Sequence, residues 1–130
     1  MYRTALMAGG IFAALAVILG AFGAHALKDV LTEAQHQTYE TAVKYQFYHS
    51  FALLFTGVVY NWYKVSKVRL AAIFFIIGIV LFSGSLYLLI QLKASGSVGL
   101  GGLGILTPIG GLFFIAGWIM LLLTFVKKAE

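Results

Sequence analysis

From Thr4 to Leu27 the chain runs 24 residues without a charged side chain. About 20 apolar residues are enough to cross the ~30 Å hydrocarbon core of a bilayer. No water reaches exposed backbone N–H and C=O groups there, so a spanning chain folds as helices or as a closed barrel. Thr4 and His25 are the only clearly polar side chains in the run.

Composition extends the constraint to the rest of the chain. Of 130 residues, 62% are hydrophobic and 10% charged, whereas soluble domains carry about 25% charged residues. A soluble domain of this size has no interior large enough for so much apolar surface. The length allows one domain over residues 1–130. Without cysteine there are no disulfides, thiolate metal sites or cysteine nucleophiles. The net charge of +5 reads as membrane topology and contact with anionic lipid. No basic cluster with interleaved aromatics extends beyond a loop, so nucleic acid is not an expected partner. Arg3, the apolar stretch and Ala24-His25-Ala26 together imitate a cleavable signal peptide. The stretch exceeds the roughly 7–15 residues of a signal peptide's apolar region, and the first span is read as retained.

Four spans are expected, at about Thr4–Leu27, Tyr45–Trp62, Leu70–Leu92 and Ile105–Val126. The fold class is an all-α integral membrane four-helix bundle, with a polar helical extension between spans one and two. Four crossings put Arg3, Lys64, Lys67, Arg69, Lys127 and Lys128 on one side, and Lys28, Lys44 and Lys93 on the other. The positive-inside rule then places both termini in the cytoplasm of a cell-membrane protein. Tyr60, Trp62, Tyr63 and Trp118 are read as aromatic anchors towards the inner interface.

Thr32-Glu33-Ala34-Gln35 fits a capping box, and Glu40 and Lys44 have the favourable i,i+4 order. One helix over Glu33–Trp62 would be ~45 Å long and would reach beyond the hydrocarbon. Gly9/Ala13, Gly10/Ala14, Ala16/Gly20 and Gly20/Ala24 are small-xxx-small pairs, which let helix backbones approach closely in lipid. Span one is therefore read as the central packing helix, with a homo-oligomer through small-residue faces as a further expectation.

Polar side chains within the spans gather towards the outer half: His25, Gln46, His49, Ser83, Ser85, Tyr87 and Thr107. Ionisable groups inside a membrane are functional candidates because burying them is costly. Gln46 and His49 share a helix face that Gln35, Tyr39 and Ala42 continue outwards, whereas His36 and Glu40 share another. These seven residues form the candidate site for a lipid or a small amphiphile. The plain alternative is hydrogen bonding between helices. Gly99-Leu100-Gly101-Gly102-Leu103-Gly104 matches G-x-G-x-x-G but lacks the strand and the later acid of a dinucleotide site. Histidine spacing supports no metal site, and beyond their shared side nothing marks His25 and His49 as haem ligands. No catalytic residue, cofactor or metal is assigned.

Four blocks stand in order along the chain: Gly20-Ala21-Phe22-Gly23-Ala24-His25-Ala26-Leu27, Tyr45-Gln46-Phe47-Tyr48-His49, Leu81-Phe82-Ser83-Gly84-Ser85-Leu86-Tyr87 and Thr107-Pro108-Ile109-Gly110-Gly111. Together they resemble the family called domain of unknown function 423. That family comprises small bacterial inner-membrane proteins and is similar to transmembrane protein 256. The resemblance implies a multi-pass protein of about four helices, and all seven candidate residues fall inside its blocks.

Three functions follow as expectations. The first is a non-enzymatic membrane protein that binds lipid or a small amphiphile at the outer polar cluster, or supports the cell envelope. The alternative is an oligomeric small-molecule or ion transporter or channel, in which His49 replaces the missing intramembrane acid. An intramembrane enzyme would need His25 or His49 within hydrogen-bond reach of a serine or tyrosine.

Overall fold

The computed structural model describes residues 1–96 and 101–126. These are helical without any strand: α1 (Arg3–His25), α2 (Glu33–Val59), α3 (Ser66–Gly78), a π-helical turn (Ile79–Ser83), α4 (Gly84–Ala94) and α5 (Gly101–Val126). Because α3, the π turn and α4 follow one another without a break, the described residues make four rods. Arg3–His25, Ser66–Ala94 and Gly102–Val126 are each long and apolar enough to cross a membrane.

The fourth rod, α2, departs from the expected four apolar spans. Its stretch from Glu33 to Lys44 is mostly polar, and Gln46, His49, Ser50 and Thr56 interrupt the rest. Those four side chains are buried, while Tyr45, Tyr48, Phe51, Phe55 and Val58 are exposed. A soluble helix does the opposite, burying its apolar stripe and exposing its polar face. The inverted pattern suits a helix that turns aromatics to lipid and polar groups to its neighbours.

α1 and α2 run antiparallel. The Tyr2 amide donates to the Gly57 carbonyl at 3.0 Å, Gln46 Nε2 to the Phe12 carbonyl at 2.8 Å, and the Tyr39 hydroxyl to the Leu19 carbonyl at 2.5 Å. The seam on α1 is Ala5, Gly9, Ala16 and Gly23. A Cβ added at Gly9 would lie 2.9 Å from the Ser50 carbonyl oxygen, and one at Gly23 would strike the Tyr39 ring. Small residues thus bring the backbones together, as lipid-embedded helices require. The rest of α1 is open. Only 17% of its apolar window is buried, against 39% for Ser66–Ala94. Span one is therefore a peripheral rod, and α2, which packs on α1, α3 and α4, takes the central place. Gly10 and Ala14 point away from the seam, with open space around Gly10.

α5 packs along α3 and the π turn. Phe114 lies against Gly78, and Phe75 against Gly117. At Gly110 an added Cβ would overlap the backbone of Phe82, inside the π turn. α5 begins at Gly101 rather than Ile105 and holds Pro108 within it. Glycine and proline are both tolerated in spanning helices, where neighbours satisfy the backbone. Gly101 to Gly104 of the glycine motif belong to this first turn, whereas Gly99 and Leu100, like Lys127 and Lys128, lie outside the described residues.

The capping box forms as its sequence implies. Thr32 Oγ1 accepts from the Gln35 amide at 3.2 Å, and Gln35 Oε1 accepts from the Thr32 amide at 3.0 Å. α2 has 27 residues, or ~40 Å of helix. Leu31, just before the cap, folds down against Tyr39 and Ile90. α4 ends at Ala94, and Gly96 two residues on has a φ of +85°, which suits glycine just past a helix terminus.

The close approach at Gly110 makes a testable contrast. Gly110→Ala should destabilise the bundle by about 1–3 kcal/mol, the usual range for overpacking. Gly10→Ala, in open space, should leave it unchanged or raise it by about 0.5–1 kcal/mol. Thermal unfolding in mild detergent measures both; equal effects would contradict this packing.

Candidate functional site

The end of the bundle that holds Arg3 and the Tyr60–Arg69 turn is here the basic end; the opposite end is the far end. At the middle of its length, α2 presents Gln46 between α1 and α4. Its Nε2 donates to the Phe12 carbonyl and its Oε1 accepts from the Tyr87 hydroxyl at 2.8 Å. One turn nearer the far end, Ser83 Oγ donates to the Ala42 carbonyl at 2.7 Å. Tyr39 and Tyr87 meet edge to face, with ring centroids 5.4 Å apart. Gln46, Ser83 and Tyr87 are thus brought together on one flank of α2.

His49 sits on another flank, facing α5. Trp118 Nε1–H donates to His49 Nε2 at 3.1 Å, and His49 Nδ1 lies 2.7 Å from the Tyr45 carbonyl. An indole only donates and a carbonyl only accepts. The ring is therefore neutral, with its proton on Nδ1. It stacks on Phe114 at 3.5 Å between centroids, with 8° between planes. Neither nitrogen is bonded to a serine or tyrosine hydroxyl, so the pairing that an intramembrane base needs is not formed. Trp118, read as an interface anchor, instead directs its N–H inwards to His49.

Ser85 and Thr107 share a 2.6 Å hydrogen bond between α4 and α5. His25 stands apart from all of these. It is exposed in the last turn of α1, where a basic group suits the helix C-terminus, and it lines a cavity with Lys28, His36, Glu40 and Lys44. The seven candidates therefore occupy four places. The expected grouping in the far half holds for His25, Ser83, Ser85, Tyr87 and Thr107, whereas Gln46 lies at mid-bundle beside Phe12 and His49 lies beside Phe75 and Trp118, nearer the basic end. Tyr39 and Trp118 complete these contacts and were not among the candidates. Tyr39 had a signal, since it continues the Gln46–His49 stripe; Trp118 had none.

α1 and the α3–α4 rod flank α2 and leave a groove between them, with α2 as its floor. At the far end the groove encloses about 480 Å³, walled by residues that include Leu19, Phe22, Leu31, Ile90, Gln91 and Ser95, with Tyr39 and Tyr87 at its base. Sharing Leu19 and Tyr87, it continues towards mid-bundle past Phe12, Leu15, Gln46, Val80, Ser83 and Gly84 as a further hollow of about 250 Å³. Gly84 has no atom within 4 Å of where its Cβ would be.

Residues 19–111 match the family model described as "Protein of unknown function (DUF423)". The chain belongs to this family. The match runs from the last turns of α1 to just past Pro108, and so contains all seven candidate residues of this DUF423 protein. The UPF0382 membrane protein SAB0533 of Staphylococcus aureus (strain bovine RF122 / ET3-1) is 40% identical over 126 residues, or 95% of this chain and 96% of that protein. The UPF0382 membrane protein YwdK of Bacillus subtilis (strain 168) is 39% identical over 123 residues, or 94% of this chain and 95% of that protein. No solved structure matches the DUF423 chain.

The bonds to His49 define a second test. In a double-mutant cycle with His49→Phe and Trp118→Phe, the coupling energy should be ~0.6 kcal/mol, and at most ~1.7 kcal/mol, as for other interhelical hydrogen bonds in membranes. It is read from unfolding in detergent; strictly additive single effects would remove the bond from the account.

Proposed function

We propose that this DUF423 protein is a non-enzymatic membrane protein that binds one acyl chain of a lipid, or a single-chain amphiphile, in the α1–α4 groove. The observation that carries the reading is the groove itself. Its walls are apolar, its volume lies within the roughly 300–1,000 Å³ typical of ligand pockets, and its base carries a few polar groups already held by hydrogen bonds. Ligand pockets combine apolar lining with a small number of placed polar groups in this way. The lower groove takes the chain between Phe12, Leu15 and Gly84, and Gln91 and Ser95 stand at the far end, where a polar head belongs.

We place the far end in the outer leaflet of the cell membrane and both termini in the cytoplasm. Arg3, Lys64, Lys67 and Arg69 at the basic end support this orientation through the positive-inside rule. The transporter reading depends on His49 exchanging protons. A histidine whose two nitrogens are committed to Tyr45 and Trp118 favours the lipid reading instead.

Gly84→Leu is the decisive variant. Its Cβ has no protein atom within 4 Å, its side chain occupies space in the lower groove that Gly84 lines, and it replaces glycine with a better helix former. Lipids retained through purification are identified by native mass spectrometry and lipidomics. The wild type should retain an enriched amphiphile, and Gly84→Leu should lower its affinity about tenfold, the equivalent of ~1.4 kcal/mol, at unchanged or higher thermal stability. Retained lipid that mirrors the bulk membrane, in both proteins alike, would sink the proposal.

A further inference from the structure

We infer that a second cavity, on the other flank of the α1–α2 seam, binds a phosphate group. The contact of Tyr39 with Gly23 separates it from the groove: Leu19 and Phe22 lie on the groove side of α1, Gly20 and Ala24 on this side. The cavity encloses about 790 Å³ between the end of α1, the following turn and the first turns of α2. Its α1 wall is Gly20, Gly23, Ala24 and His25, the first three of which carry at most a methyl group.

The rim is cationic. Lys28, Lys44, His25 and His36 line the cavity with one acid, Glu40. Glu40 and Lys44 have the spacing of a helical ion pair, yet among the described residues no hydrogen bond or ion pair engages the side chain of Lys28, Glu40, Lys44 or His25. Charged groups that surround a hollow and leave one another unpaired are available to a ligand. His36 Nε2–H donates to the Lys28 carbonyl at 3.0 Å. That bond ties the turn bearing Lys28 to α2 and leaves His36 Nδ1 uncommitted.

The charge pattern selects the ligand. Two lysines against one carboxylate leave a positive balance before either histidine is protonated. The carbonyl end of α1 adds partial negative charge, which the ligand's anionic group tolerates only with these cations around it. A phosphate offers three or more strong acceptor oxygens to donors from several directions, whereas a carboxylate offers two. Both a glycerophospholipid headgroup and a soluble phosphate ester present this chemistry. The site is independent of the groove, and Gly84→Leu leaves it intact.

The test uses the full-length protein in non-ionic detergent, titrated by native mass spectrometry. Three probes are compared: phosphatidic acid, diacylglycerol with the same chains, and glycerol 3-phosphate. Phosphatidic acid should bind at least about tenfold more tightly than diacylglycerol, and Lys28→Gln with Lys44→Gln should weaken it about tenfold or more, as expected when charge-assisted bonds are lost. Glu40→Gln should tighten it, because a like charge is removed. If glycerol 3-phosphate binds as tightly and responds to the same lysines, the phosphate site stands and its source is soluble; weak binding of that probe assigns the lipid. Diacylglycerol equal to phosphatidic acid, or the double variant equal to the wild type, overturns the inference. Should the double variant fail to fold, Glu40→Gln decides alone, and unchanged or weaker phosphatidic acid binding then overturns it.

Discussion

A chain dissolved in lipid has to satisfy its polar groups from within, and that requirement organises this bundle. Among the described residues, every buried side-chain nitrogen and oxygen has a hydrogen-bond partner. Ser50 and Thr56 donate back to the carbonyls of Gln46 and Ala52 on their own helix, each at 2.6 Å. Gln46, His49 and Ser83 reach across to other helices. These groups are concentrated on α2, so neighbouring helices must cover its polar face while its aromatic face stays open to lipid. Uncovered, that polar face would present glutamine and histidine to hydrocarbon, where an unsatisfied group costs several kcal/mol.

Placing α2 in the middle has a geometric consequence. α1 is drawn against it by small residues, and the α3–α4 rod is held by Ser83 and Tyr87 on the neighbouring flank. α5 approaches α3 and the π turn rather than closing on α1. The bundle is thus a set of pairwise seams with furrows between them, and two of these furrows lie at the far end, where α1 stops and the turn before Thr32 folds over. The π turn belongs to the same geometry. Gly110 has to pass the backbone of Phe82 there, and π segments often mark functional positions in helices. Here the turn brings Ser83 to face α2 while Ser85 faces Thr107 on α5.

Legibility in the sequence follows the range of each interaction. The capping box at Thr32 and the stripe of Tyr39, Ala42, Gln46 and His49 are set within a few residues on one helix, so spacing reveals them. Depth was legible only in part: Gln46 bonds to Phe12 in the middle of α1, and His49 to Trp118 in the half of α5 nearer the basic end. Rotation about each helix axis was not: His25 and Gln46 face different flanks. The bond between His49 and Trp118 joins residues 69 positions apart, and the ordinary preference of tryptophan for interfaces pointed elsewhere. The central role given to α1 failed for a related reason. Its small residues mark close approach, but a single seam consumes them, and Gly10 and Ala14 are left outside it. Nor does apolar length reveal that a helix as polar as α2 can be the one the others enclose.

Tyr39 keeps the two hollows apart. Its ring lies on Gly23, where any Cβ would collide with it, and its hydroxyl reaches the Leu19 carbonyl one turn away. Leu19 walls the groove, while Gly23 walls the phosphate cavity. Tyr39 itself lines both, and on the groove side its ring meets Tyr87, which holds Gln46. The ring is therefore the partition between an apolar furrow and a cationic one, held from α1 by a hydrogen bond and from α4 by an aromatic contact. Glycine at position 23 is what lets the partition stand there. The small-residue face of α1, which first marks a membrane helix, also sets the distance at which two chemically different hollows form on either side of one tyrosine.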